Sequence, residues 1–324
     1  MTPKEAKVLK YTLSAVIAAV LVWFAFRKVE WTMFWDILKD TSWIYIFPFF
    51  AASLAALALR MLRWKALLYT IDIDVPLSRI WHANNAGNLA NIVLPGAGEF
   101  VRCGYVAGKA RYDTVLGTEA MERVWDVIAI IVVFAVALAT GWGRFGSFFV
   151  SQIWTPVSES ITVSAWWLIA AAVALIAAAV LAVLRFRSRN AFFGRMFHFL
   201  EELRTGFTSF IRMDRKWLFG LYTAALWLMY VFMCFCIIRA IPVLHELGFA
   251  DALFISAIGN IASVIPVPGG VGAYHYIVAL ALSSIYGAGW DTGLIFATLN
   301  HELHAAMIIL LGIISYLALT LRKK

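Results

Sequence analysis

Apolar residues run in long blocks along this chain, and the polar residues gather between them. Six blocks reach the roughly 20 residues that a helix needs to cross ~30 Å of hydrocarbon: about 8–27, 42–62, 114–140, 164–184, 217–240 and 291–321. Two further blocks, 79–110 and 249–287, are apolar but broken near their midpoints. Pro95, Gly96 and Gly98 break the first; Pro266, Pro268, Gly269 and Gly270 break the second. Proline removes a donor and clashes with the preceding turn, while glycine permits sharp reversals. Each half-block is too short to span, so each block is read as a re-entrant hairpin that enters the membrane and returns. Kinked spanning helices, eight crossings in all, are the alternative. Non-helical backbone at that depth is tolerated only inside protein or beside a wet cavity. The expected fold class is an all-α polytopic membrane protein.

Composition agrees. Of 324 residues, 63% are hydrophobic and 14% charged, where soluble domains carry about a quarter charged; mean hydropathy is +0.83. No segment remains for a soluble domain of ordinary size. The net charge of +8 is arranged around the blocks. Only Arg27, Lys28, Lys39, Arg144 and Arg239 fall on one side, and Arg123 lies inside a block; the rest of the 27 Lys and Arg residues lie on the side of the termini. The positive-inside rule then puts both termini in the cytoplasm, and nucleic acid is not expected as a partner. Cys103, Cys234 and Cys236 all sit in apolar stretches, with no disulfide framework or C-x-x-C spacing. The first block is similar to a signal peptide but lacks a small-residue cleavage site and runs into FRKVEW, so it is read as a retained helix. The segment 190–212 is too polar to span. Its Phe and Leu residues recur at helical spacing, as in a cytoplasmic interfacial helix; a solvated linker is the alternative.

The two broken blocks share an order. Gly87-Asn88 leads into Pro95, as Gly259-Asn260 leads into Pro266, and Thr118-x-x-x-Glu122 follows the first break as Thr298-x-x-x-Glu302 follows the second. Each half reads crossing, crossing, hairpin, crossing. Three crossings per half reverse the second, giving an inverted-topology repeat of 1–150 and 160–324 joined through a loop at 141–163. Secondary transporters use this plan, with broken helices near the midplane. There the breaks would offer backbone N–H and C=O groups to a polar substrate.

Charge at bilayer depth costs roughly 2.5–3.5 kcal/mol per residue on insertion scales, so each such residue is a candidate for function. Glu119, Glu122, Arg123 and Asp126 share one helical face. Arg123 is expected to pair with Glu119, and Arg102 or Arg63 to balance the remaining acid. An ion-pair network pinning hairpin to helix and direct substrate contact both stay open. Glu99 and Arg102 sit on the second limb of the first hairpin; Asn84, Asn85, Asn88 and Asn91 sit on its first. Arg60 is expected to snorkel to the interface and Arg63 to reach a phosphate, whose geometry suits guanidinium. The second half offers Asn260, His275, Asn300, His301, Glu302 and His304. HELH at 301–304 departs from H-E-x-x-H because its histidines are three apart. A third ligand such as His275 is imaginable, but neither metal nor cofactor is assigned. No Ser-His-Asp set, Walker loop or Rossmann fingerprint is present; GAGEF lacks the third glycine.

Four motifs in order, R-x-x-R-W at 60–64, N-x-x-L-P-G-x-G-E-x-x-R at 91–102, E-R-x-x-D at 122–126 and P-x-P-G-G-x-G at 266–272, resemble the lysylphosphatidylglycerol synthase transmembrane, or flippase-like, family. The resemblance implies a lipid-handling membrane module. In bifunctional aminoacyl-phosphatidylglycerol proteins such a module is held to move the modified lipid between leaflets, while a soluble domain attaches the amino acid. This chain ends at LRKK after its last block, so the expectation is a stand-alone module, not an enzyme. The positions carried over are Glu99, Arg102, Glu122, Arg123 and Asp126. The expected partners are membrane lipids: an anionic or aminoacylated phospholipid, or a polyprenyl-phosphate-linked lipid, as in archaeal glycosylation. A homo-oligomer or a separate synthase partner stays open. The expected place is the cell (inner) membrane. Two competing readings stand beside lipid transport. One is an intramembrane enzyme acting on a lipid phosphate or glycosyl carrier, with carboxylates as acid and base. The other is a secondary transporter of a small solute.

Overall fold

The computed structural model describes residues 31–107, 112–160, 191–262 and 272–321, with scattered positions between 167 and 185. The crossing expected at 8–27, most of that at 164–184, and the second break with Pro266, Pro268, Gly269 and Gly270 lie outside the described residues. Among those described, the regular structure is entirely helical. Four helical stretches are long and apolar enough to cross a membrane: Trp43–Tyr69, Tyr112–Gln152, Lys216–Ala240 and Trp290–Leu321. This is a polytopic membrane protein.

The chain opens with α1 (Trp31–Asp40), then α2 (Ile46–Tyr69), the hairpin helices α3 (Leu77–Val93) and α4 (Ala97–Val106), and the long α5 (Tyr112–Phe148). After α6 (Ala191–Phe207) come α7 (Lys216–Ala240), α8 (Phe249–Ala262), α9 (Ala273–Tyr286) and α10 (Trp290–Leu321). Sequence pattern missed α1; Phe34 anchors it to the main core with Phe49, Ile237 and Ile255. Residues 141–160, expected as a connecting loop, stay helical. A kink at Gly141 and a π-turn at Phe149–Trp154 interrupt α-geometry only locally. The reason lies in packing: Phe145 stacks on Phe254 of α8 at 4.0 Å between centroids, and Phe148 joins the same cluster. The amphipathic segment at 190–212 forms α6 and a 3₁₀ turn to Arg212, docked on α5 through Thr114 Oγ1 donating to Glu202 at 2.6 Å.

The first broken block is an antiparallel helical hairpin. Arg79 meets Tyr105 near its open end, at 2.8 Å, and Asn91 meets Gly98 near its tip, at 2.7 Å. Local chemistry dictates the turn. Leu94 precedes a proline and is extended; Gly96 takes φ 81°; Ala97 N–H donates to the Leu94 carbonyl at 3.0 Å. That is a type II turn, with Pro and Gly at its two central positions. Gly87 and Gly98 let the limbs touch backbone to backbone, since a Cβ at Gly87 would sit 2.8 Å from the Gly98 carbonyl. In the second block α8 and α9 also run antiparallel: Tyr286 O–H donates to Asp251 at 3.0 Å at one end, and Gly259 abuts Tyr274 at the other.

Some helix contacts occur in similar pairs. α2 and α7 lie antiparallel, from Ser42 N–H on the Ala240 carbonyl (2.7 Å) to Leu67 against Phe219. The first limb of each hairpin packs antiparallel on a long helix distant in sequence. α3 meets α10 through His82 and Ser315, 3.2 Å apart. α8 meets α5 through Asp251 and Arg144, at 2.6 Å.

Candidate functional site

Arg60 and Arg63 face α5 from the second half of α2, and Arg102 and Glu99 reach it from α4. Glu119, Glu122, Arg123 and Asp126 lie on one side of α5, as their three- and four-residue spacing requires. Arg63 donates to Glu122 at 2.7 Å and to Asp126 at 2.5 Å. Arg102 pairs with Glu119 and lies 3.5 Å from Glu122. Arg60 donates to Asp126 at 3.2 Å and stands 4.0 Å from Glu122. Arg123 pairs with Glu99, and with Asp126 at 3.5 Å. Four guanidinium groups thus face four carboxylates, the balance that makes charge tolerable at depth.

Two expectations change. Arg123 turns to Glu99 and Asp126 and not to Glu119, because Arg102 takes Glu119 from across the hairpin. Arg60 does not run to the interface; it closes the network. The counter-charges expected from Arg102 and Arg63 are in place. The centre is closed, with Arg63, Glu119, Glu122 and Arg102 all buried. The rim is open: the Arg123 side chain is 42% exposed and that of Arg60 20%. Aromatic faces floor the network, with Arg102 5.2 Å from the Trp64 ring and Arg63 5.8 Å from Phe219. Trp64 is itself fixed by its Nε1–H on Thr118, at 3.1 Å.

The asparagines divide by role. Asn91 accepts the Gly98 N–H, so one of the backbone donors freed by the break is used within the hairpin. Asn84 accepts from Arg102 at 3.4 Å. Asn88 is half-buried one step from the close contact at Gly87.

Along α7 the network meets an apolar groove of about 470 Å³. Trp125, Ile128 and Val132 of α5 form one wall and Phe219, Thr223 and Trp227 of α7 the other. The Phe219 that floors Arg63 is shared by both.

A second polar group lies on α9 and α10. His275 Nε2 is 3.8 Å from Glu302, and His301 Nδ1 is 3.0 Å from the same oxygen. The HELH pair is split: His304 points away to Ser53 of α2, at 2.8 Å. Asn300 holds the Tyr274 hydroxyl at 2.5 Å, and Asn260 donates to the Ser256 carbonyl at 2.8 Å. Tyr230 links the charged network to His304. Its hydroxyl accepts from Arg60 at 3.5 Å, and its ring meets His304 edge-on. Neither Tyr230 nor Ser53 stands out in the sequence, each being a lone polar residue in an apolar run.

No curated protein and no solved structure matches the chain. The family model of the lysylphosphatidylglycerol synthase TM region matches residues 11–312, so nearly the whole sequence, including every residue of the charged network, is covered. The match is to a transmembrane region, and no enzymatic domain is indicated by it. On that match, and with the motifs of α2, α4 and α5 drawn into one buried network, the chain belongs to the lysylphosphatidylglycerol synthase TM-region family.

Proposed function

We propose that this protein is a flippase-like lipid transporter in the cell membrane, moving a phosphate-bearing lipid head group between leaflets. One observation carries the reading: a charge-balanced network and an apolar groove share a wall at Phe219. A lipid is the substrate class that needs both at once. The phosphate docks at the rim, on Arg60 and Arg123, displacing Asp126 and Glu99. Arg63 and Arg102 lie behind as the deeper pair. An acyl or prenyl chain lies in the groove between α5 and α7. At 1.5 Å per residue, Arg63 and Arg60 stand roughly 9–14 Å inside the end of α2, within the hydrocarbon. An incoming anion therefore competes with Glu99 and Asp126 for the rim guanidinium groups, and the displaced carboxylates turn to the open side of the network as it binds. Candidate substrates are an anionic or aminoacylated phospholipid and a polyprenyl-phosphate-linked lipid.

The paired helix contacts are those an inverted repeat would make, and such a repeat suits transport. α2 and α7 occupy equivalent places and run antiparallel, and the α3–α10 contact has its counterpart in α8–α5. The hairpins then enter from opposite faces, the first beside Tyr69 and the second beside Ala240. The decisive experiment uses proteoliposomes carrying head-group-labelled lipids with a membrane-impermeant quencher. Faster loss of inner-leaflet signal than in protein-free vesicles is expected for at least one of these lipid classes. Equal rates for all of them, at a dose where a known scramblase works, end the proposal.

A further inference from the structure

Aligning Pro95-Gly96 with Pro268-Gly269 places Arg102 opposite His275, and the Thr-x-x-x-Glu pattern places Glu122 opposite Glu302. The structure keeps the pairing: Arg102 lies 3.5 Å from Glu122, and His275 3.8 Å from Glu302. Both contacts tie the second limb of a hairpin to the following long helix. The charge differs. Glu122 has Arg63, Arg60 and Arg102 around it, whereas the whole stretch 249–321 contains no Lys or Arg. Glu302 instead faces two imidazoles. Ligand atoms from His275, His301 and Glu302 all lie within 4.8 Å of one another. A tetrahedral zinc ion, with bonds of about 2.0–2.1 Å, places its ligands roughly 3.4 Å apart, so a shift of about an ångström completes the set.

We infer that His275, His301 and Glu302 form a binding site for a divalent transition-metal ion of the zinc class. The ion takes the place that guanidinium groups fill in the first half, linking α9 to α10 through its ligands. Two imidazoles and a carboxylate suit zinc better than magnesium or calcium, which prefer all-oxygen shells. His275 is buried and orients the site from within, while Glu302, 47% exposed, and His301, 19% exposed, form its open side. The His301 ring rests 5.3 Å from that of Tyr274, whose hydroxyl Asn300 holds in turn. This fixed second layer limits the reorganisation needed on binding. His304, though part of HELH, is excluded by its bond to Ser53.

The test needs no lipid, so its outcome is independent of the transport reading. Untagged full-length protein in detergent is stripped with a chelator and titrated with Zn²⁺, and with Co²⁺ as a visible reporter. One equivalent per chain and cobalt d–d bands of low-coordinate geometry are expected. Glu302→Gln and His275→Gln should each weaken binding by roughly a hundredfold, while His198→Gln on α6 leaves it unchanged. Glu302→Gln lies at the open side and keeps the experiment informative if the buried His275 variant fails to fold. Absence of a saturable single equivalent, or binding undiminished in Glu302→Gln, overturns the inference; in that event the imidazoles bind protons only.

Discussion

Arg63 on α2 donates to Glu122 on α5 at 2.7 Å, and neither side chain has any exposed surface. The pair joins two long helices through the centre of the charged network, so removing Arg63 leaves the buried Glu122 only its longer contacts to Arg102, at 3.5 Å, and Arg60, at 4.0 Å. Arg63→Met and Glu122→Leu should each lower stability, by up to about 3–5 kcal/mol. The double substitution Arg63→Met with Glu122→Leu should recover most of that loss, because Arg102 keeps Glu119 and Arg60 keeps Asp126. Thermal unfolding of the purified single and double variants in one detergent, analysed as a double-mutant cycle, measures the coupling.

Arg123 differs because its guanidinium is on the rim. Exposed ion pairs contribute little to stability, at most about 1 kcal/mol, whereas a charge-assisted hydrogen bond to a phosphate is worth roughly 1.5–3 kcal/mol. Arg123→Gln, which leaves Glu99 at 18% exposure without its partner, should therefore cost less stability than the Arg63 variant and slow lipid movement by about tenfold or more. Arg123→Lys should restore part of the rate, since lysine keeps the charge but not the bidentate fork. Parallel melting and proteoliposome assays on the same preparations separate the two roles.

Local rules made the first hairpin readable. A Pro-Gly pair inside an apolar block has few outcomes, and Leu94, Pro95 and Gly96 adopt the turn those residues favour. The acidic face of α5 was equally accessible, since helical spacing alone aligns Glu119, Glu122 and Asp126. Pairing was not. An arginine near a helix end carries the same sequence signal whether it snorkels or meets a partner, and Arg60 bonds to Asp126 at a separation of 66 residues. The same limit hid the direction of His304, which depends on α2 packing beside α10. Residues 141–160, expected as part of a connecting loop, contain Gly141, Gly143 and Gly146, but the burial of Phe145 and Phe148 on α8 outweighs the helix-propensity cost of about 1 kcal/mol per glycine.

The hairpin turn gives a separate test. Gly87 approaches the Gly98 carbonyl so closely that a methyl group must push the limbs apart. Gly87→Ala should cost about 1–3 kcal/mol, the range for overpacking, and should displace Arg102, whose Cβ lies 3.2 Å from the same point. Gly104→Ala, with open space around its Cβ, is the matched control and should be neutral or slightly stabilising in its helix. Thermal melts rank the pair. If Gly87→Ala melts with Gly104→Ala, the limbs are not in contact as described.

The groove between α5 and α7 can be filled without touching a charge. Gly220 lines it, and a Cβ at that position meets nothing within 4 Å, so Gly220→Leu points a branched side chain into free space. Two effects compete. Removing a helical glycine favours the folded state by about 1 kcal/mol, while the new apolar atoms, in a groove open to hydrocarbon, add packing contacts without a gain from leaving water. Occupying part of a cavity of about 470 Å³ excludes a hydrocarbon chain from the wall nearest Phe219. Gly220→Leu should thus raise the melting temperature and lower lipid movement together, a combination that loss of folding cannot produce. Thr223→Leu, on the same wall, should act in the same direction. Shortening the acyl chain of the labelled lipid should relieve the block before any change in head group does. A rate that stays at the parent level in both variants would place the chain elsewhere and leave the charged network without its apolar companion.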